Sequence, residues 1–519
     1  MAYSGSTIQV SCGKGGLTGA KNIDSIPNYM MVIPTRNIIY ERNIRRKRGG
    51  TAHAYGSAYA GTPKIIGLKH VTFEDGTPFL LAATDDGDIY KNDTDKINGS
   101  ALGTTLPYSM EVGENKVFIA DGVNIPVVWT GAGNAATIHE AAADFTTFPV
   151  FQFLKHKRGL SERMCAINRR GLFMSKSYTA SLDMEHFITG AMYFHIEPED
   201  GEGLTGMIEI GSELVVFGKK RAYRLDDSSL DTSEWGLNLA QWNGGAASWR
   251  LIIKTPNDVI VMAEDGEVYS IVAVNTYGDY KLASLTRPSW MHDWIKDNVD
   301  LGEIAQFHGI YDPALKAVKI FVVKYGDSEV KAALLFYPER EITDAWMIHD
   351  NTLSASGYDA SASCLVPLAD GAYGVYTGDY VGEIWKLNQP TRSDNGVAFY
   401  GGFKTPPDQC EDASRNKHFN AGHITLDAVG SYTLKIRTWI DGIMRPTVSE
   451  VDMGGAGASL DEFMLDTDEL AGSEIVDVRF KVGQVGKRIQ YEFYNEGMGE
   501  DFSISSYCTD YKVQGNQGG

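Results

Sequence analysis

The sequence predicts an all-β fold, a β-propeller of six or seven blades followed by a C-terminal antiparallel β-sandwich. Two observations carry this prediction: a short phrase that occurs three times, and a block of long alternating strands after residue 397. The phrase is an apolar run, an acidic turn closed by Gly, one carboxylate, one β-branched residue and one large aromatic residue. Its three copies are residues 81–90, 261–269 and 375–385.

Each copy of the phrase predicts a β-hairpin. The turn glycines, Gly87, Gly266 and Gly382, supply the positive φ that a tight turn requires. After the turn, the acidic, β-branched and aromatic residues alternate between the two faces of a strand. Because a single hairpin cannot bury its own apolar face, recurring hairpins must pack against one another.

The spacing of the strands favours a propeller over other stacks of small sheets. From about residue 64 to 390, apolar strands alternate with turns rich in Gly, Asp and Asn. The units recur every ~40–60 residues, which is typical of four-stranded propeller blades. Consensus patterns such as WD40 or kelch are absent, so the prediction rests on spacing and alternation. A short helix is expected within residues 287–299.

The C-terminal block changes character. Three runs, around residues 432–437, 476–482 and 488–493, set apolar side chains against charged ones with a period of two. Strands with one apolar and one charged face predict a sandwich. We therefore expect an entry segment at 1–50, a propeller at 51–396 and a sandwich at 397–519, with a flexible loop at 454–457 and a frayed tail after Val513.

Composition excludes several classes of protein. The 519 residues carry a formal charge of −20, which argues against a general nucleic-acid-binding surface. The five cysteines are far apart and form no CxxC pair, so neither a zinc site nor a disulfide framework is indicated, and reduced thiols made in a cytoplasm are expected. The N-terminus lacks the pattern of a signal peptide. No apolar run approaches the ~18–20 residues needed to span a bilayer.

No motif predicts a catalytic, cofactor or metal site. Residues 201–206 match GxGxxG, but they lead into a strand-like run, whereas a dinucleotide site opens a helix; a hairpin loop is expected there. The 11 histidines show neither HExxH nor paired metal-ligand spacing. His156, within a short basic stretch, is assigned to a surface or interface position and not to catalysis.

Basic residues concentrate in residues 36–48, which carry six of them against Glu41. Two interpretations remain open: a solvated, extended segment that pairs with an acidic neighbouring subunit, which is favoured, and contact with a phosphate backbone. A second basic stretch spans residues 219–221. The candidate subunit-interface residues are Arg42, Arg45, Arg46, Lys47, Arg48, Lys219, Lys220 and Arg221.

Several segments, in this order along the chain, carry a resemblance to a known family. They are residues 37–51, 153–158 with 173–176, 214–220, 244–248 with 264–269, 344–346, 378–385, 403–405 and 486–490. Together the chain resembles the packaged-DNA stabilisation, or tail nozzle, proteins of short-tailed bacteriophages.

The resemblance implies a structural virion protein with no enzymatic activity, located in the phage tail. Such proteins form a ring, typically a hexamer, beneath the portal and adaptor, where the ring retains packaged DNA and conducts it during ejection. Double-stranded DNA would pass without specific binding, because a wall that neutralised phosphates would hold it. Ring closure would use head-to-tail contacts between identical subunits. We expect the basic residues at these contacts and Asp and Glu along the lumen.

The alternative is a monomeric carbohydrate-active or carbohydrate-binding β-propeller. A propeller glycosidase needs two carboxylates placed across a sugar. Here the carboxylates cluster at hairpin turns, where Asp is favoured by turn chemistry alone, and the Asp-box of sialidase propellers is absent. A cellular scaffold propeller is a third possibility.

Overall fold

The computed structural model describes residues 6–158, 161–178, 183–196, 201–229, 231–350, 358–410, 412–427, 429–430, 432–453 and 475–514. The predicted loop at 454–457 and the tail from residue 515 onward lie outside these residues. Within them the protein consists of seven small antiparallel sheets and two larger ones. No helix among the described residues has the length and apolar composition needed to cross a bilayer.

The seven small sheets form a closed β-propeller. The first strand of each sheet contacts the first strand of the next one, and the seventh contacts the first, so the ring has no open edge. Within each blade, strands that follow one another along the chain pair as antiparallel neighbours. The predicted all-β propeller is therefore confirmed, and its blade number is seven.

The strands of the blades are as follows. Blade 1 contains Ile65–Thr72, Pro78–Thr84, Ile89–Lys91 and Asp95–Lys96, and blade 2 contains Ser109–Gly113, Lys116–Ala120, Val127–Trp129 and Ala136–Thr137. Blade 3 contains Gln152–Arg158, Ser161–Ile167, Gly171–Met174 and Met192–His195, and blade 4 contains Leu204–Ile210, Glu213–Gly218, Arg221–Asp226 and Gly236–Asn243. Blade 5 contains Ile252–Lys254, Val259–Met262 and Val268–Ser270, and blade 6 contains His308–Asp312, Ala317–Val323, Val330–Phe336 and Trp346–Asp350. Blade 7 contains Ala362–Pro367, Tyr373–Gly378, Ile384–Gln389 and Gly50–His53.

Blade 7 closes the ring with a strand from the other end of the chain. Gly50–His53 pairs with Ile384–Gln389, with His53 opposite Trp385. The His53 ring lies on the indole of Trp385 at a centroid distance of 4.1 Å. The first and last parts of the propeller are thus joined in one sheet, which holds the ring shut.

The three copies of the repeated phrase form equivalent hairpins between the second and third strands of blades 1, 5 and 7. Their turn glycines have φ values of 85°, 81° and 81°. The aromatic residues that end the copies, Tyr90, Tyr269 and Trp385, are at most 3% exposed. Each turn is closed in the same register, for example by the amide of Ala263 donating to the carbonyl of Glu267 at 2.8 Å. The hairpin prediction is confirmed.

Helices are short and lie between strands. The helix Met291–Asn298 falls inside the predicted 287–299 segment. Two more helices and six 3-10 turns occur among the residues that the structure describes. These are Asp144–Thr147 and Ile271–Tyr277, with Ile23–Ser25, Asp183–Glu185, Thr232–Glu234, Trp249–Leu251, Leu301–Gln306 and Ile342–Asp344.

The two larger sheets, called here the two-sheet unit, pack face to face. The six-stranded sheet contains Ser6–Ser11, Ile38–Glu41, Ile44–Lys47, Lys417–Asp427, Ile475–Gly486 and Ser503–Val513. The five-stranded sheet contains Val32–Arg36, Gly401–Lys404, Thr433–Ile440, Ile443–Asp452 and Ile489–Asn495. Aromatic rings meet between the sheets: Phe480 lies 5.5 Å from Tyr491, and Phe493 lies 5.3 Å from Tyr507.

The N-terminal segment is built into this unit. The sequence suggested a separate entry segment at residues 1–50, but strands from residues 6–47 belong to both larger sheets. One apolar core runs from Val10 and Ile38 through blades 5 to 7 to Phe403 and Tyr491. The propeller and the two-sheet unit therefore share a continuous core.

Candidate functional site: the basic junction and the loop face of the propeller

A tight hairpin carries most of the basic run. Arg42 and Asn43 join the strands Ile38–Glu41 and Ile44–Lys47 with φ values of 49° and 64°, and positive φ at both turn positions matches the twist of the flanking strands. Alternation then sends Arg45 and Lys47 inward, and both are fully buried. Arg42, at the tip, is exposed.

Arg48 lies where the chain enters and leaves blade 7, and its side chain joins these two segments. Its guanidinium donates two hydrogen bonds to the carboxylate of Asp394, at 2.8 and 2.6 Å, and a third to the side-chain oxygen of Asn37 at 2.9 Å. It also lies 3.9 Å from the ring centroid of Phe399. Arg48 is 0% and Asp394 3% exposed, so this is a buried, bidentate ion pair with little access to solvent.

Lys47 is buried beside Arg48 without a matching acceptor. Its ammonium lies 4.3 Å from the ring centroid of Phe399, and among the described residues it has no hydrogen-bond partner. Burial, reinforced by the charge of Arg48, lowers the pKa of Lys47 to about 8, against weaker attraction from Glu500, Asp501 and Asp394. Lys47 is therefore a charge held at an energetic cost inside the junction.

The two remaining arginines of the hairpin tie it to its surroundings. Arg45 lies 4.7 Å from the ring centroid of Phe403 and donates to the carbonyl oxygens of Lys14, at 2.8 Å, and Tyr29. Arg46, whose side chain is 27% exposed, forms an ion pair with Asp501 at 2.6 Å. Asp501 is shared with Arg392 at 2.9 Å.

These positions correct part of the sequence interpretation. Arg45, Lys47 and Arg48 are buried within the chain, so the interpretation of the run as a solvated segment is wrong for them, and so is their assignment to a subunit interface or to a phosphate backbone. The physical reason is that their carboxylate, carbonyl and aromatic partners are supplied by other segments of the same chain. For Arg42 and Arg46, the assignment to a subunit interface stays a prediction.

The second basic stretch lies at the turn between the second and third strands of blade 4. This turn is on the face of the propeller at which the first strands of the blades begin. Lys219 pairs with Glu264 of blade 5 at 2.7 Å, and this hydrogen bond raises the pKa of Lys219. Lys220 lies 3.5 Å from Glu202. Arg221 begins the next strand. All three remain candidate interface residues.

A cavity of about 880 Å³ opens on this loop face. Loops of blades 2 to 6 line it, and it combines three basic groups with two carboxylates. These are Arg169, Lys219 and Arg250 with Glu202 and Glu264. Arg250 donates to the carbonyl of Ser361, and burial lowers the pKa of Arg250 to about 10. A cavity with mixed charge suits polar or protein contacts more than a purely anionic ligand.

His156 does not lie on the surface. Its side chain is 1% exposed and sits between the carboxylates of Glu209, at 3.1 Å from Nδ1, and Asp227, at 2.9 Å from Nε2. Its assignment to a surface position was wrong, because strand pairing turns it into the contact between blades 3 and 4. The contacts of His156 with the buried Asp227 and the partly exposed Glu209 join the two blades.

Several other buried charged residues join neighbouring segments, and the sequence does not predict them. Glu267, fully buried, pairs with His292 at 3.0 Å and with Arg287 at 2.9 Å. Lys319 and Asp312, both 0% exposed, pair at 2.7 Å within blade 6. Nothing in the local sequence marks these residues, since their neighbours in the chain are those of ordinary strands and turns.

The structure also brings together potential metal ligands that no spacing in the sequence groups. His139, Glu140 and His186 place one ligand atom each within 4.8 Å of one another. Within residues 201–206, where a hairpin loop was expected, only residues 201–203 are loop, and residues 204–206 already belong to the strand Leu204–Ile210.

No protein-family model and no curated protein matches the chain. A solved structure of BBS1N in complex with ARL6DN is similar at 10% identity and a TM-score of 0.39, covering 66% of this chain and 97% of that one. The β-propeller domain of Cps50 (Swd1) from Myceliophteria thermophila gives 10% identity, a TM-score of 0.39, and coverage of 65% and 99%. An exo-β-1,3-galactanase from Phanerochaete chrysosporium gives 7% identity, a TM-score of 0.26, and coverage of 89% and 100%. Likeness at this level carries no argument about function, and the propeller assignment rests on the strand pairing itself.

Proposed function

We propose that this protein is a structural component of a bacteriophage tail, in which several copies form a nozzle ring that retains packaged DNA and conducts it during ejection. The ordered resemblance along the chain suggests this role. The net charge of −20 is compatible with it, since an acidic wall repels a polyanion and leaves it mobile.

The observation that carries the proposal is a pair of long end strands on the two-sheet unit. Within the described residues, Ile443–Asp452 ends the five-stranded sheet and Ile475–Gly486 ends the six-stranded sheet. They expose large apolar side chains. These are Ile443, Met444, Val448, Ile475 and Val485, between 37% and 64% exposed. Long end strands with exposed apolar groups are templates for pairing with another chain.

A second copy of this chain is the occupant that fits these strands. Arg445, Glu450 and Asp452 give the first strand a net charge of −1, and Asp477, Arg479 and Lys481 give the second a net charge of +1. Contact between the first strand of one subunit and the second strand of the next would be head-to-tail, the arrangement that generates rings. Charge complementarity would favour this pairing over contact between like strands.

The test is the mass of the purified protein, by light scattering and native mass spectrometry, with negative-stain images of the particles. We expect a discrete ring, typically a hexamer as in the resembling family. Val448→Lys, on the outer face opposite Arg437, should reduce the ring fraction at least ~10-fold, because each interface would bury an unpaired charge.

Leu239→Lys is the matched control, since Leu239 is 52% exposed on the outer strand of blade 4 and should leave assembly unchanged. Rings that tolerate Val448→Lys would refute the assigned contact but not the ring. A stable monomer that cleaves glycans would refute the proposed function and favour the carbohydrate-active alternative.

A further inference from the structure

Three potential metal ligands meet where the end of blade 2 passes the middle of blade 3. His139 and Glu140 follow the last strand of blade 2, and His186 follows the 3-10 turn Asp183–Glu185. The ligand atoms of the three side chains lie within 4.8 Å of one another. The two imidazole rings are 4.8 Å apart between centroids, tilted by 41°.

The backbone holds these residues together independently of their side chains. The amide of Glu140 donates to the carbonyl of Glu185 at 3.1 Å, and the amide of Phe187 donates to the carbonyl of Glu140 at 2.9 Å. Glu140 and His186 form a parallel β-bridge. The two segments are therefore fixed side by side, so bringing the ligands together requires little loss of backbone freedom.

Groups around the cluster orient its members. The carboxylate of Glu140 accepts hydrogen bonds from the amide of Thr189 at 3.0 Å and from its hydroxyl at 3.3 Å. Glu185 accepts from the backbone amide of His139 at 3.1 Å and pairs with Lys116 at 2.7 Å. Such outer contacts fix the direction of a ligating carboxylate and of the segment that carries a ligating histidine.

The geometry points to a binding site for a divalent transition metal ion formed by His139, Glu140 and His186. Two imidazoles and one carboxylate suit Zn²⁺ and neighbouring ions. Ligand atoms bound to one Zn²⁺ at ~2.1 Å lie about 3–4 Å apart. Side-chain rotations that move the ligand atoms by less than ~1–2 Å therefore complete the site. His139 is exposed, and Glu140 and His186 are partly exposed, so an ion can reach the three ligands from solvent.

A bound ion would connect blade 2 to blade 3 on the outer part of the propeller. Binding to the folded state alone stabilises that state by mass action. The ion would thus add a cross-link between neighbouring blades, at a place distinct from the junction around Arg48 and from the end strands of the two-sheet unit.

The test is a calorimetric titration of the full chain with Zn²⁺, in a Cys508→Ser background under reducing conditions, because the other four cysteines are buried. We expect one ion per chain and a rise in the midpoint of thermal unfolding. His139→Ala and His186→Ala should each weaken this binding at least ~10-fold, and Glu140→Gln should weaken it as well.

His418→Ala is the matched control, since His418 lies in the six-stranded sheet, far along the chain from the cluster, and its loss should leave the Zn²⁺ affinity unchanged. Circular dichroism of each variant verifies folding. Equal Zn²⁺ affinity of wild type and both histidine variants would overturn the site, and so would the absence of measurable Zn²⁺ binding to the wild type. These results do not depend on ring assembly.

Discussion

The propeller and the two-sheet unit are both antiparallel, but their strands come from different places in the chain. Six of the seven blades use only consecutive strands. The two-sheet unit combines strands from residues 6–47 with strands from residues 401–513. The propeller is therefore local structure repeated, closed by one distant strand, whereas the two-sheet unit exists only when both ends of the chain meet.

The stabilising contacts differ accordingly. Blades are joined by apolar packing, with polar contacts such as those of the buried His156 with Glu209 and Asp227. The meeting point of the two regions instead concentrates buried cations: Arg48 has a carboxylate partner, whereas Lys47 has no hydrogen-bond partner in the part of the chain that the structure describes. The comparison predicts that single changes at the junction act on the whole molecule, while changes in a hairpin turn act on one blade.

The largest effect is expected at the buried pair that joins the two regions. Asp394→Ala would leave the guanidinium of Arg48 buried and unpaired, and should lower the free energy of unfolding by about 3–5 kcal/mol. Denaturation in urea, followed by tryptophan fluorescence, measures this change. Arg224→Ala is the control, because Arg224 pairs with Glu213 on the surface with both side chains more than 40% exposed, and it should cost ~0–1 kcal/mol. Equal losses of unfolding free energy in the two variants would show that the buried pair at the junction contributes no more to stability than a surface ion pair.

A smaller effect of opposite sign is expected at Lys47. Its pKa of about 8 in the folded protein lies below the ~10.4 of an unfolded chain, so the cost of burying the charge is present in full below about pH 8 and falls away as the pH rises towards 10. Lys47→Met, which fits the same apolar surroundings, should raise the free energy of unfolding by about 1–3 kcal/mol at pH 7. Urea denaturation of both proteins between pH 7 and 10 should show this advantage shrinking. A pH-independent difference would contradict the assignment.

The smallest effect is the difference between two glycine-to-alanine substitutions in two hairpin turns of blade 1. At Gly87 (φ 85°) an added Cβ would lie 2.8 Å from the carbonyl oxygen of Leu102, whereas at Gly76 (φ 84°) nothing lies within 4 Å. Gly87→Ala should therefore cost about 2 kcal/mol and Gly76→Ala about 1 kcal/mol. Thermal unfolding compares them. If both cost the same, the positive φ alone sets the penalty and the packing between turn and neighbouring loop is loose.

The difference between local and distant strand pairing explains which parts of the structure the sequence could predict. The hairpins at Gly87, Gly266 and Gly382, the helix Met291–Asn298 and the strand Thr433–Ile440 follow from local patterns, because turn chemistry and alternation act over a few residues. The carboxylate partner of Arg48 and the strand that pairs with Ser6–Ser11 lie hundreds of residues away, and local periodicity carries no information about them. For the same reason, His139 and His186 could not be grouped before the pairing of blades 2 and 3 was known.

The strand Gly50–His53 has a consequence for how the protein is made. Its partner strand, which includes Trp385, is synthesised about 330 residues later. At ~5–20 residues per second, this strand and the basic hairpin before it therefore remain without their partners for roughly 15–70 s, until the residues that bury them are synthesised. A chain that stops before residue 384 would keep this strand unpaired and the cations of Arg45, Lys47 and Arg48 in water.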